Sequence, residues 1–291
     1  KNNLLRIAAH LSIAEDLMRF GTISKTTLDQ AAATNTRTNV QVGQANAGYG
    51  MTSISSIAPA SLGAISGAGN VQPMISQTVF ATLQNDGTLP YEVGGLSVTV
   101  NGVAVPVLYA SPYGVKFFMS PDIPVGIAEV IVSSQEGYVC QGLVSVDRSG
   151  SRIMTVNDDE NGVAVITNGQ TKTAFTFDVQ TQENFSSDKR TRLSIFATGI
   201  SASAANTDTS NDVHVGGNVT ANFAESVSVE ARLNNGQVYT LPVEFAGAQG
   251  VLPGLDQINV ILVPELKGVG NVQLTLIVNG QRSNAPTVFI K

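Results

Sequence analysis

Along most of this chain, apolar and polar positions alternate with period two, and Asn-Gly pairs break the alternation. Residues 96–105, LSVTVNGVAV, form two such runs around Asn101-Gly102. Side chains of a strand point to opposite faces in turn, so the pattern predicts half-buried strands. Asn-Gly supplies the positive-φ positions of a type I′ turn, which predicts a hairpin. The same signal recurs at Asn235-Gly236, inside VSVEARLNNGQVYTLPVEF, and at Asn279-Gly280 ahead of Val288–Ile290. RLSIFATGIS predicts a buried strand that ends at Gly199. IAEVIVSS and YVCQGLVSV read as two strands joined at 135–137.

The pattern also occurs twice. Residues 105–132, VPVLYASPYGVKFFMSPDIPVGIAEVIV, line up with residues 242–278, PVEFAGAQGVLPGLDQINVILVPELKGVGNVQLTLIV. Each copy runs strand, aromatic-Ala, a Pro/Gly-bearing loop, strand, a Pro-bearing turn and an alternating strand. A sub-pattern repeated at a fixed distance reads as two copies of one module. Between them, residues 149–188 carry three strand-like runs separated by NDDENG and TNGQTK, which predicts folded β structure with hairpin-type turns.

The first fifty residues break the pattern. In residues 1–20, Leu4, Ile7, Ala8, Leu11, Ala14 and Met18 recur at helical spacing and form one apolar stripe. Asn2 or Asn3 can cap its start and Gly21 its end. A shorter helix is expected after Thr27, with Gln30 completing a capping-box spacing. Residues 34–52 are polar and Gly-rich and read as an extended linker, with a short strand at Thr38–Val42 in which Val40 and Val42 alternate with polar residues.

The predicted fold is therefore all-β: two tandem immunoglobulin-like β-sandwiches with an N-terminal helical extension. Residues 1–52 are the helix and linker, 53–148 the first sandwich, and 149–291 the second, including the bridging segment 149–188.

Composition sharpens this. Only 13% of residues are charged, the mean hydropathy is +0.13, and 28 glycines punctuate the chain. Low charge with many β-branched residues suits β structure. A net charge of −6 argues against nucleic acid and anionic lipid, which both need a basic face. Trp, the commonest sugar-stacking platform, is absent. No apolar run is long enough to span a membrane. The chain begins at Lys1 without Met or an apolar signal core, as expected of a processed or trimmed protein.

Candidate chemistry is sparse. The single Cys140 reads as a small buried hydrophobe and has no internal disulfide partner. His10 and His214 are the only histidines, and no G-x-S-x-G motif accompanies them. Neither a catalytic triad nor a zinc site is expected, and no cofactor or metal is assigned. Asn157–Asn161 and Asp208–Asp212 are oxygen-rich, but both lack the distal Glu of an EF-hand loop and read as solvated turns. Asp188–Arg192 reads as a solvated or salt-bridged strand entrance. Asp256, in GLDQIN, is read first as a carboxylate that hydrogen-bonds backbone amides and pins the loop before its own strand. Lys116 is the one lysine in a setting that would suit an internal isopeptide bond, which needs it buried.

These motifs resemble a TIG/IPT-type immunoglobulin-like domain. LSVTVNGVAVPVLYASP followed by FFMSPDIPVGIAEVIVSS, the strand RLSIFATGIS, and the whole run from LPVEFAG to APTVFI carry the likeness. It is closer to C-terminal Ig-like modules of secreted acidobacterial proteins and covers about residues 53–291. The first copy departs from it, since Gly114–Phe118 replaces the Asp256–Val260 strand. The resemblance implies a β-sandwich in a secreted or cell-surface bacterial setting, with no catalytic residues to transfer.

The expected function is accordingly non-catalytic: an extracellular structural protein that self-assembles head-to-tail into a filament. Its partners are then copies of itself, with Leu4, Ile7, Leu11, Met18, Val40 and Val42 as subunit contacts. The helix folding back on its own sandwich is the alternative for that segment. The alternative function is a surface adhesion or glycan- or protein-binding module, with Thr207, Asp208, Asn211 and Asp256 on its ligand loops.

Overall fold

The computed structural model describes residues 46–48, 57–66, 75–112, 114–135, 139–148, 150–156, 161–183, 186–201 and 221–291. The subunit-contact candidates Leu4, Ile7, Leu11, Met18, Val40 and Val42, and the predicted helix that carries four of them, lie outside these residues. The chain divides into two compact units between Gly150 and Ser151.

In the first unit, one sheet has the order β1 (Asn46–Gly48), β2 (Leu62–Ser66), β8 (Gly114–Phe118), β7 (Val107–Ser111) and β3 (Val79–Phe80). The facing sheet has the order β10 (Val139–Val146), β9 (Gly126–Ser134), β5 (Leu96–Val100) and β4 (Glu92–Val93), with β6 (Val103–Val105) also on β5. Inward residues from both sheets make one core: Ile65, Val107, Ala110, Val115 and Phe117 meet Leu96, Val98, Val100, Val130, Val132 and Val144. The alternation read from the sequence is what divides these residues between core and surface.

The second unit repeats the plan. One sheet runs β11 (Arg152–Ile153), β14 (Arg192–Thr198), β18 (Asp256–Ile261) and β17 (Val243–Ala248), with β12 (Ile166–Asn168) also on β14. The other runs β13 (Thr176–Phe177), β21 (Thr287–Ile290), β19 (Gly270–Val278), β15 (Val227–Leu233) and β16 (Val238–Leu241), with β20 (Gln281–Arg282) on β19.

The repeat holds residue by residue. Val98 stands opposite Val105 and Val132, just as Val229 stands opposite Leu241 and Leu276, and all six are buried. The carbonyl of Pro106 accepts the amide of Phe118; that of Pro242 accepts the amide of Ile261. Ser61 receives the amide of Met119, as Thr191 receives that of Leu262. β7 and β17 are both bulged, at Val107/Tyr109 and Val243/Phe245. Each bulge sits just before the aromatic-Ala pair seen in the sequence. Ala110 and Ala246 are buried, while Tyr109 and Phe245 lie half-exposed between them and the surface. In both units the last strand also takes a parallel partner, Ile57 on Val146 and Thr176–Phe177 on Phe289–Ile290.

Three details differ from the sequence reading. Asn101-Gly102 and Asn279-Gly280 have positive φ at both residues, as a type I′ turn requires. At the third hairpin only Gly236 does, and Leu233 bonds Gln237 across a three-residue loop. The strand-like runs of 149–188 close single bridges across their turns, Thr155 with Ala164 and Thr167 with Ala174. Their short strands β11 and β12 pair instead with distant β14. The Asn284 side chain fixes Ile153 through both its amide and its carbonyl, so this segment is part of the second unit. In the linker, Asn46–Gly48 adds to the edge of the chain's own β2 and runs beside β10, whereas Thr38–Val42 lies outside the described residues.

Candidate functional site

Alternation along β18 puts Asp256, Ile258 and Val260 on the inward face. Asp256 is the first residue of that strand, at the end of the sheet where the apolar core stops. It stands opposite Ala197 in β14 and Ala248 in β17. Gly199, at φ 80°, turns the chain sharply after β14 and brings the next two residues over the carboxylate. Oδ2 accepts the backbone N–H of Ile200 at 2.7 Å and of Ser201 at 3.4 Å. Oδ1 accepts the Ser201 hydroxyl at 2.7 Å. Burial pushes the carboxyl above its ordinary pKa, against the opposite pull of these three donors.

The hairpin that carries Asp256 is itself ordered. The Thr198 hydroxyl donates to the Gly254 carbonyl at 2.7 Å. Gln249 closes residues 249–255 by donating its amide to Leu255, and its side chain accepts the amide of Val251. In the first unit Ser111 pairs with Gly114, so the corresponding connection is only two residues long. The clamp therefore belongs to the second unit alone.

The far end of the 202–220 stretch is fastened to the same hairpin. Asn222 Oδ1 accepts the amides of Ala224 and Ala246, and Phe223 donates to the Ala246 carbonyl. Gly247 is needed there: a Cβ would lie 2.3 Å from the Ala221 carbonyl oxygen. The residues that flank 202–220 are thus both held by β17–β18, Ile200 and Ser201 by Asp256 and Asn222 by Ala246. The ligand-loop candidates Thr207, Asp208 and Asn211 lie within that stretch, outside the described residues. The structure joins Asp256 to its base. Asn222 and Gly247 were not picked out from the sequence. The Asn222-Phe-Ala-Glu225 spacing, a capping signal ahead of the short 3-10 turn Ala224–Ser226, was the legible clue.

The other candidates resolve as structure. Asp188 pairs with Arg190 and Arg192, and Arg192 also pairs with Glu244 at 2.9 Å. The Arg190 hydrogen bond holds the Asp188 carboxyl well below the usual carboxylate range. Lys116 is half-exposed, between inward Val115 and Phe117, with its ammonium 5.8 Å from the centre of the Tyr109 ring. It is not the buried lysine an isopeptide bond requires. Cys140 stands opposite Val132 in the β9–β10 register.

A second surface was not foreseen. On the outer face of β9–β10, Ile127 is 70% exposed and Leu143 65%, with Val125 at 57% just before β9. Ile131 lies half-exposed on the same face, with exposed Glu129 between it and Ile127 and opposite Leu143. The second unit places Asn271, Thr287 and Thr275 where the first has Ile127, Leu143 and Ile131, as the matching pairs Gly126–Val146 and Gly270–Ile290 show. Thr287 is further covered by its own chain, since its amide donates to Gly162 and its carbonyl receives Ala164. The first unit thus exposes Ile127 and Leu143 where the second has Asn271 and Thr287, while the second exposes Phe289, at 44%, where the first has Ser145.

No family model and no curated protein matches this chain. Among solved structures it is similar to a surface glycan-binding protein, SGBP-B, of the Bacteroides ovatus mixed-linkage glucan utilization locus. That likeness has 10% identity over 87% of this chain and 46% of the other, with a TM-score of 0.30. Domains 4–9 of the surface layer protein SbsC are 12% identical over 87% of this chain and 31% of that one, with a TM-score of 0.25. The extracellular region of plexin A4 is 8% identical over 81% and 24%, with a TM-score of 0.20. The chain spans less than half the length of each. Among the described residues no helix is long and apolar enough to cross a membrane.

Proposed function

We propose that this chain is a non-catalytic structural segment of a secreted or cell-surface bacterial protein, built from two TIG/IPT-like modules, that assembles head-to-tail through residues 1–52. The observation that carries this reading is the group of apolar side chains, Ile127, Ile131 and Leu143, that surrounds Glu129 on the outer face of β9–β10. Large exposed apolar side chains on adjacent strands mark a contact surface rather than a solvated one. The polar residues at the same places in the second unit indicate that the fold does not require them. A contact between unlike surfaces does not close on itself as a two-fold dimer does, so it builds rings or filaments. Sedimentation velocity of the full-length chain over a range of concentrations tests this. Growing oligomers support it, and a compact monomer at high concentration defeats it.

The clamp at Asp256 favours a second reading, in which residues 202–220 bind a surface ligand, glycan or protein. Recognition loops need a rigid base, and both ends of this stretch are fixed to one ordered hairpin. Capture by immobilised cell-wall glycans, with and without the loop, separates the two readings.

A further inference from the structure

We infer that β16, an open edge of the second unit, docks the β16 of a second copy of this chain, the two strands pairing antiparallel about Tyr239. The contact goes beyond the head-to-tail reading, because it joins like surfaces and closes as a two-fold pair.

The backbone leaves this edge open. Leu233 bonds Gln237 across the hairpin loop. Bonded and unbonded pairs alternate along an antiparallel ladder, so Ala231–Tyr239 and Val229–Leu241 carry the bonds between β15 and β16. Val238 and Thr240 therefore turn their N–H and C=O groups away from β15. Among the described residues nothing takes these groups. Other edges are taken by the chain itself. Ile57 bonds Ser145 and Asp147 at the end of β10, and Asn222 and Phe223 bond Ala246 on β17. Open edges are usually blunted by charge, proline or a bulge. Val238–Leu241 contains no charged residue and no proline, and its register with β15 is unbroken.

The edge is its own complement. Pairing about Tyr239 sets Val238 opposite Thr240 of the copy and Thr240 opposite Val238, so every open N–H meets an open C=O. Neighbouring registers fail. Centring on Val238 would set Thr240 against Gly236, which lies in the turn at φ 88°. Centring on Thr240 would set Val238 against Pro242, which has no N–H. Tyr239 packs half-buried against the core of the second unit. In the paired strands it faces Tyr239 of the copy in an unbonded pair, where side chains come closest. Each outward row then runs from Arg232 of one copy to the Glu230–Arg282 ion pair of the other, so like charges are not set directly opposite.

The test uses the full-length chain with Cys140→Ala, so that one introduced thiol reports. Tyr239→Cys and Gln237→Cys are each oxidised mildly at high protein concentration, and covalent dimer is read on a denaturing gel. The Tyr239 pair would stand about 4.5 Å apart between Cα atoms, within reach of a disulfide. Gln237 would face Leu241 of the copy, more than ~10 Å from its own counterpart. Tyr239→Cys should therefore cross-link at least about tenfold faster than Gln237→Cys. Adding Thr240→Pro should slow the Tyr239→Cys cross-link by a similar factor. That proline removes only an outward N–H, so the melting temperature should match the parent. Equal cross-linking at positions 237 and 239 overturns the inference, whether or not the proline variant folds. A cross-link unaffected by Thr240→Pro in a folded variant overturns it as well. Sedimentation separates this from the assembly reading. A dimer that Thr240→Pro turns into a monomer keeps the edge pair and removes head-to-tail assembly. Oligomers that grow in Thr240→Pro as in the parent, with equal cross-linking at the two positions, keep assembly and remove the edge pair.

Discussion

Asp256 accepts the backbone N–H of Ile200 at 2.7 Å, across 56 positions of sequence. This one bond ties the end of β14 to the start of β18. Ile200 is itself buried, so its amide has little access to replacement water.

Asp256→Ala should therefore lower stability at neutral pH by about 1–3 kcal/mol, the cost of buried donors left without an acceptor. The effect should be local as well as global. Hydrogen exchange at Ile200 and Ser201 should accelerate far more than at Val229 or Leu276 in the facing sheet. Uniform acceleration would mean that the clamp does not act on this loop in particular.

The same group has a pH signature whose sign is fixed by its burial. Its folded pKa lies above the ordinary carboxylate value, so the folded state holds the proton more readily than the unfolded chain. The stability it contributes is full below the unfolded pKa and falls as pH rises through the folded one. Asp256→Asn lacks this titration. The stability of the parent relative to Asp256→Asn should thus decline from pH 4 to pH 7 in paired denaturant titrations. A gap that widens with pH would show that the three hydrogen bonds outweigh burial.

Much of the sandwich was legible because period-two alternation and Asn-Gly turns are local signals. Val98 and Val229 are inward because their neighbours, Ser97 and Thr99, and Ser228 and Glu230, are polar, and that is visible in any short window. The role of Asp256 was legible in kind, as a carboxylate holding backbone amides, but its partners Ile200 and Ser201 were not. Their proximity depends on β14 lying beside β18, a pairing between distant segments. β11 and β12 escaped for the same reason, since their partners come from β14 rather than from the adjacent run. The exposure of Ile127, Ile131 and Leu143 was hidden because both faces of β9 carry apolar residues, so period two does not say there which face meets solvent.

Gly247 offers a purely steric check on the exit of the loop. Any side chain there drives a Cβ to 2.3 Å from the Ala221 carbonyl oxygen, and backbone yields poorly. Gly247→Ala should cost about 1–3 kcal/mol in thermal or denaturant unfolding, the usual range for overpacking. Gly250→Ala is the contrast. A Cβ there meets nothing within 4 Å, and the strain comes from its φ of 89° alone. Its cost should stay near 1 kcal/mol. Equal losses at the two positions would show that the approach of Ala221 to β17 is loose.

Replacing Thr207–Asn211 by a short Gly-Ser turn tests the ligand-loop reading directly. The anchors of the 202–220 stretch, Asp256 with Ile200 and Ser201 at entry and Asn222 with Ala246 at exit, all lie outside the replaced residues. The core residues of the second unit are equally untouched. Shortening a loop between fixed ends changes its closure entropy only slowly with length. The melting temperature should therefore stay within a few degrees of the parent, while capture of a glycan or protein ligand on an immobilised surface is lost. Capture that survives the replacement assigns binding to another surface. A large fall in melting temperature would mean instead that Thr207–Asn211 packs on the sandwich as structure.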